Sequence, residues 1–396
     1  MALKPMLRAG ADSHQRGPRQ RPLENYANNS SPPLSRRSAR WLLLRLLWDV
    51  SGESRVRKCR RVRIAEAVGV RRGANGAGFS GLASCGSVWA CPVCSAKILA
   101  RRSLEIGAGL LTWEGRGGRL VMGTLTMRHH RGHSLAAEFD ALLRAWGSVN
   151  CSKVWKRWLV RLGSPGLVRV TEVTFGWDNG WHVHLHFVLL VGGEVQAADV
   201  ESFTAWLVPK WARALEVAGM PGALEQGQDV HLIDGVAAAV ELGDYLAKST
   251  AYGAADSLGR ELMGVWSKSA RGGYGTEPAW RLAEDFGATG DKELLDLWHE
   301  YERGSKGRRQ MAWSRGLREL LALGSESTDE QLAAEAEGDS DLLLLSGDGW
   351  ASVLAQPWPA SRLLDVLEEG GMPALRALLD EHGIGYLVTE AGREVD

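Results

Sequence analysis

The sequence predicts an α+β protein: a small antiparallel sheet with helices on one face, preceded by a cysteine knuckle and followed by a mostly helical C-terminal region. Three observations carry that expectation. Strand-like and helical patterns interleave between residues 115 and 255. Within them, Gly176-Trp177-Asp178-Asn179-Gly180 sits between two apolar, β-rich runs and reads as a hairpin turn. Ahead of them, Cys59, Cys85, Cys91 and Cys94 gather in a short stretch.

The elements follow in order. Residues 1–38, rich in Arg, Pro, Ser and Asn, read as a flexible leader, and an apolar helix follows at 41–48. Residues 55–72 read as basic extended chain, and Gly73, Gly76, Gly78 and Gly81 mark a loop. A helix over 95–111 leaves the knuckle, and β-branched and apolar residues predict a strand at 119–127. Helices at 134–149 and 152–162 lead to strands at 167–175 and 181–191. A helix over 197–218, a short strand at 230–233 and a helix over 236–248 complete the sheet region. Beyond Arg271, helices are expected at 278–284, 292–303, 315–323, 361–369 and 373–382. The chain thus divides into a basic leader (1–54), a Cys-rich region (55–114), a sheet domain (115–270) and a C-terminal region ending in an acidic tail (271–396).

Charge is unevenly spread. The 396 residues hold 47 Lys plus Arg against 47 Asp plus Glu, yet residues 1–75 carry 17 basic and 5 acidic residues, and residues 321–396 carry 3 and 16. A basic head suits a polyanion, because each cation meeting a phosphate releases a counterion. The acidic tail reads as a solubilising or protein-contacting segment. The apolar run at 41–48 is broken by Arg45 and is far shorter than a membrane span, so a soluble, cytoplasmic protein with no membrane partner is expected. Five cysteines in so long a chain argue against a disulfide framework. Seventeen Trp serve cores and base-stacking surfaces equally.

The sharpest chemical feature is Trp181-His182-Val183-His184-Leu185-His186-Phe187. Residues two apart on a strand share a face, so the three imidazoles project together while Val183, Leu185 and Phe187 pack behind. Glu172, on the preceding strand, is placed to add a carboxylate. Two nitrogens, an oxygen and waters suit Mg²⁺ or Mn²⁺ better than a closed structural zinc. A second feature is Glu241, Tyr245 and Lys248, spaced four and three apart on one helical face. A phenol there can attack phosphorus, the ammonium can favour the phenolate or steady a phosphate, and the carboxylate can activate water. An ordinary charged helix with a half-buried Tyr has the same spacing. The third feature is Cys85, Cys91-Pro-Val-Cys94 and Cys59, a tetrahedral four-thiolate zinc set, with a redox Cys-x-x-Cys as its competitor. Cys151 is left over and reads as a buried small hydrophobe.

The order of these features resembles the rolling-circle replication initiator (Rep) proteins of actinobacterial plasmids, in the HUH endonuclease superfamily. The likeness runs over about residues 55–325: the cysteine knuckle, Thr124-Leu125-Thr126, the His strand, Tyr245-x-x-Lys248, and Lys306 to Arg318 as a C-terminal signature. It implies an HUH-type antiparallel sheet, with residues 115–270 as the nicking domain. It also implies that His184 and His186 hold a catalytic metal, with His182 an extra member, and that Tyr245 is the nucleophile. Glu241 fits the water activator of a related single-Tyr group. The implied activity is metal-dependent, site-specific single-strand nicking through a 5′-phosphotyrosyl bond. The implied partners are origin DNA, both duplex and exposed single strand, and host helicase and DNA polymerase. The zinc role of the cysteines is a chemical inference rather than a carry-over. Rival readings are an HUH transposase or relaxase, a histidine-triad nucleotide hydrolase, and a zinc-knuckle DNA-binding regulator. A relaxase carries its Tyr before the His motif, a histidine-triad hydrolase leaves the cysteine knuckle and Tyr245-x-x-Lys248 without a role, and a regulator would bind DNA but never nick it.

Overall fold

Alternating apolar residues in the middle of the chain build one antiparallel sheet, and two distant segments build another. The computed structural model of the protein describes residues 35–73, 76–233, 276–334 and 340–394. The larger sheet uses β3 (Arg119–Leu125), β4 (Gly166–Gly176), β5 (Gly180–Val191), β6 (Asp229–Ile233) and β7 (Glu277–Pro278) in the order β6-β3-β5-β4-β7, with β8 (Met311–Trp313) also paired to β4. The hairpin turn forms where expected, and Gly180, at φ +81°, adopts a left-handed conformation that an L side chain would strain. This fixes the register: Glu172 lies opposite His184, and Thr124 opposite His186.

The two faces of this sheet differ. Val121, Leu125, Val183, Leu185, Phe187 and Leu189 join the main core beneath α4 (Leu135–Asn150) and α6 (Ala197–Val217). Phe187 lies across Gly123, where an added Cβ would come within 2.1 Å of the ring, so that β3 position has room only for glycine. On the opposite face Leu120, Met122, Val168, Val170, Val188 and Leu190 pack with Ile106 and Leu110 of α3 (Pro92–Gly115). The His residues occupy the other half of that second face. Fully buried Trp181, Trp211 and Trp298 place part of the Trp content in the core.

The smaller sheet has no counterpart among the expected strands. It orders β10 (Leu387–Val388), β9 (Asp341–Leu345), β1 (Val68–Gly73) and β2 (Gly76–Ser80), joining the beginning of the chain to its end. The glycine segment read as a loop is strand β2, because β1 supplies its hydrogen bonds and Phe79 is buried against Trp41 and Trp350. Within the stretch read as extended, residues 54–58 form the short helix α2 (Ser54–Lys58). The described end of the leader is a packed helix, α1 (Arg36–Val50), capped by Ser35 and burying Trp41, Leu44, Leu47 and Trp48. The acidic segment is folded too. Arg37 pairs with Asp365 at 3.1 Å and Glu368 at 2.8 Å, and Arg71 with Asp341 at 3.0 Å. Opposite charges far apart in sequence therefore neutralise one another across a shared core. The two C-terminal helices read at 361–369 and 373–382 abut as Arg362–Glu381, broken by a non-helical Gly371. No helix of the described residues is long and apolar enough to cross a membrane.

Candidate metal centres

Register places one group of donors. Glu172, His184 and His186 point to the same face from β4 and β5, and their ligand atoms all lie within 4.8 Å of one another. His186 Nε2 is 2.9 Å from Glu172 Oε2, and His186 Nδ1 is 3.1 Å from the Thr124 hydroxyl. His186 is buried, while Glu172 and His184 are half-buried. Burial pushes His184 down to about 4, more than the neighbouring Glu172 carboxylate can offset, so its ring is neutral at pH 7 and keeps a lone pair. Burial alone would raise Glu172, but the hydrogen bond and charge of His186 and the charge of His184 hold it below the usual carboxylate range. Two imidazoles and an anionic oxygen result. Donors of one octahedral ion, each about 2.1 Å from it, stand about 3 Å apart, the size of the Glu172–His186 separation. That separation is of the size needed for two neighbouring ligands of one divalent ion.

His182 is not part of this group. Its ring centroid is 6.1 Å from that of His184 but only 3.8 Å from that of His129. Burial first, then positive charge on His129 and His184, pushes His182 down to about 3. His129 belongs to the loop Arg128-His129-His130-Arg131-Gly132-His133, whose three His in six residues are a signal in the sequence beside the His strand. The roles within Thr124-Leu125-Thr126 are also clear. Thr124 contacts His186, Leu125 enters the core, and Thr126 is held by the Gln228 side chain at 2.9 and 3.0 Å. Tyr245, Glu241 and Lys248, with the helix expected over 236–248, lie outside the described residues.

The cysteines form the second centre. Cys59, Cys85, Cys91 and Cys94 are buried and unbridged, with Sγ–Sγ distances of 3.5 Å for Cys59–Cys94, 3.6 Å for Cys85–Cys94 and 3.7 Å for Cys91–Cys59. Four thiolates about 2.3 Å from a tetrahedral ion lie about 3.8 Å from one another, so the cage has the dimensions of a closed zinc site. Local sequence explains it: Cys91 caps α3, Pro92 starts the helix, and Cys94 sits in its first turn. Arg60 takes a positive φ of 55° just after Cys59. Hydrogen bonds from Cys59, Cys85 and Cys91, with the nearby Arg60 charge, hold the Cys94 thiol well below its usual range. Cys151, expected to be buried, is exposed beside Asn150, because it caps α4 at its solvent end. The stretch from Lys306 to Arg318 braces the knuckle against the sheet. Trp89 Nε1 donates to the Arg308 carbonyl at 2.8 Å, Arg308 pairs with Asp140 at 2.6 Å, and β8 pairs with β4.

Comparison with known proteins gives a consistent family. The family described as "Replication protein" matches residues 83–343. A Streptomyces lividans protein named "Protein rep" is 31% identical over 334 residues, covering 69% of this chain and 73% of that one. A Streptomyces cyanogenus protein named "Neomycin resistance protein" is 33% identical over 156 residues, covering 33% of this chain and 36% of its own length. No solved structure matches.

Proposed function

Because the chain belongs to the replication-protein family, we propose that it initiates rolling-circle replication of a plasmid by nicking one origin strand through Tyr245. The observation that most supports this is the convergence of Glu172, His184 and His186 on one sheet face, with His186 oriented by Thr124. Those three residues would hold Mg²⁺ or Mn²⁺, which when bound neutralises charge at a phosphate, a contribution of several kcal/mol. The Tyr245 oxygen attacks phosphorus, a 5′-phosphotyrosyl bond forms, and the P–O3′ bond breaks. The departing oxygen takes up a proton and becomes the 3′-OH that primes synthesis by a host polymerase behind a host helicase. Lys248 favours the phenolate before attack, and Glu241 activates the water that later releases the protein. The four cysteines would hold Zn²⁺ as a structural brace.

The test is covalent trapping. A labelled single-stranded oligonucleotide carrying the origin, incubated with the full chain and Mn²⁺, should give a denaturant-resistant adduct. Tyr245→Phe should abolish it. Glu241→Ala should still form it and let it persist. Equal nicking by Tyr245→Phe and the parent would place the nucleophile elsewhere.

A further inference from the structure

The described cations differ in how far carboxylates neutralise them. Several toward the start of the chain are paired with carboxylates: Arg37 with Asp365, Arg55 with Glu330, Arg71 with Asp341, and Arg102 with Asp329. Arg37 and Arg71 of the basic head are thus neutralised by acidic residues of the protein itself. Helix α5 (Lys153–Arg161, KVWKRWLVR) is the reverse case. It has no acidic residue, and Lys153, Lys156, Arg157 and Arg161 are all exposed. Arg161 contacts Asp199 at 3.5 Å, in a solvated pair of little strength. Lys153, Lys156 and Arg157 make no ion pair among the described residues.

Apart from Arg161, whose place in the last turn suits the macrodipole, these charges do not serve the helix. Lys153 occupies its first position, where the macrodipole disfavours a cation. Lys153 with Arg157, and Arg157 with Arg161, are like-charge pairs four apart, which also destabilise. The helix is held instead from beneath, by buried Trp155 against Phe203 at 5.6 Å and Trp146 at 5.5 Å. Trp146 in turn contacts Phe187, on the sheet face opposite His184 and His186. Half-buried Trp158, with the Arg161 guanidinium 4.9 Å from its ring centre, edges the cationic row.

We propose that α5 is the surface that grips the phosphate backbone of duplex DNA. It lies behind the sheet whose front carries the metal-ligand set. The proposal rests on the nicking reading above, yet it makes duplex binding and strand cleavage separable functions of opposite faces.

The test measures anisotropy of a labelled random-sequence duplex of about 30 base pairs as salt is raised from about 50 to 200 mM, using the full chain. Replacing Lys153, Lys156 and Arg157 together by Gln should weaken binding at every salt concentration. It should also shallow the log–log salt slope by about 2.7, which shrinks the affinity loss over that range by roughly 40-fold. The charge-preserving variant Lys153→Arg, Lys156→Arg, Arg157→Lys should bind like the parent. Unchanged affinity and slope in the Gln variant, or a parent that does not bind duplex at low salt, overturns the proposal. So does equal loss in the charge-preserving variant. The covalent adduct with single-stranded oligonucleotide is scored in parallel. Its retention in the Gln variant supports the separation of faces, and its absence from the parent defeats the nicking reading whatever α5 does.

Discussion

Replacing Thr124 by Val removes one hydroxyl and keeps the shape of a β-branched strand residue. That hydroxyl lies 3.1 Å from His186 Nδ1, and His186 is only 2% exposed, so water has little room to replace it. For Nε2 to offer its lone pair on the Glu172 side, Nδ1 must carry the proton and donate it, and Thr124 is the acceptor in place. A buried donor left without a partner costs about 1–3 kcal/mol. Loss of an outer-shell partner lowers metal affinity by roughly 10–100-fold, or about 1.4–2.7 kcal/mol. The two estimates coincide. Calorimetric titration of the full chain with Mn²⁺ should show that weakening for Thr124→Val and near-parental affinity for Thr124→Ser, which retains the oxygen. His184→Ala, which removes a donor outright, sets the lower limit. Parental Mn²⁺ affinity in the Val variant, or equal loss in the Ser variant, would refute the claim that Thr124 acts through the His186 tautomer.

Two further outcomes can be measured directly. Elemental analysis of purified protein should find about one zinc per chain, and Cys91→Ser or Cys94→Ser should lose it together with thermal stability; well-folded parent protein free of zinc would defeat the assignment. Burial, reinforced by Glu300, lifts the Glu138 carboxyl to about 9, so the folded state holds a proton that the unfolded chain releases above its ordinary carboxylate value. The contribution of Glu138 to stability is therefore complete below about pH 4.5 and is lost progressively up to about pH 9, with a slope approaching 1.4 kcal/mol per pH unit. Urea unfolding of Glu138→Gln should show a flatter pH profile and higher stability at pH 8; profiles that superimpose would mean that Glu138 is ionised in the fold.

The site was legible in sequence where its determinants are local. Period-two alternation put His182, His184 and His186 on one face, and a turn bounded by glycines set the register that brings Glu172 opposite His184. What alternation cannot tell is which two of three imidazoles converge with the carboxylate. That depends on strand twist and on the loop carrying His129, which draws His182 toward its own ring. The smaller sheet was illegible for a related reason. The pairing of Val68–Gly73 with Asp341–Leu345 is long-range, and nothing in either segment names its partner. Gly76–Ser80 reads as a loop in isolation, and only its hydrogen bonds to β1 and the burial of Phe79 make it a strand.

Charge shows the same limit with a consequence for function. Composition registers a basic head and an acidic tail, and on electrostatic grounds alone the head is the natural place for DNA. The fold brings the two ends together, so Arg37 and Arg71 face carboxylates at ion-pair distance. A phosphate backbone docking on those arginines would have to displace Asp365, Glu368 and Asp341, whose side chains are at most 30% exposed. Arg37 and Arg71 are therefore poor electrostatic receptors while the two ends remain joined. Lys153, Lys156 and Arg157 of α5 face no such competition, although their number is small and they pass unnoticed in a chain of zero net charge. Where a neutral protein meets a polyanion is decided by which charges the fold leaves uncompensated.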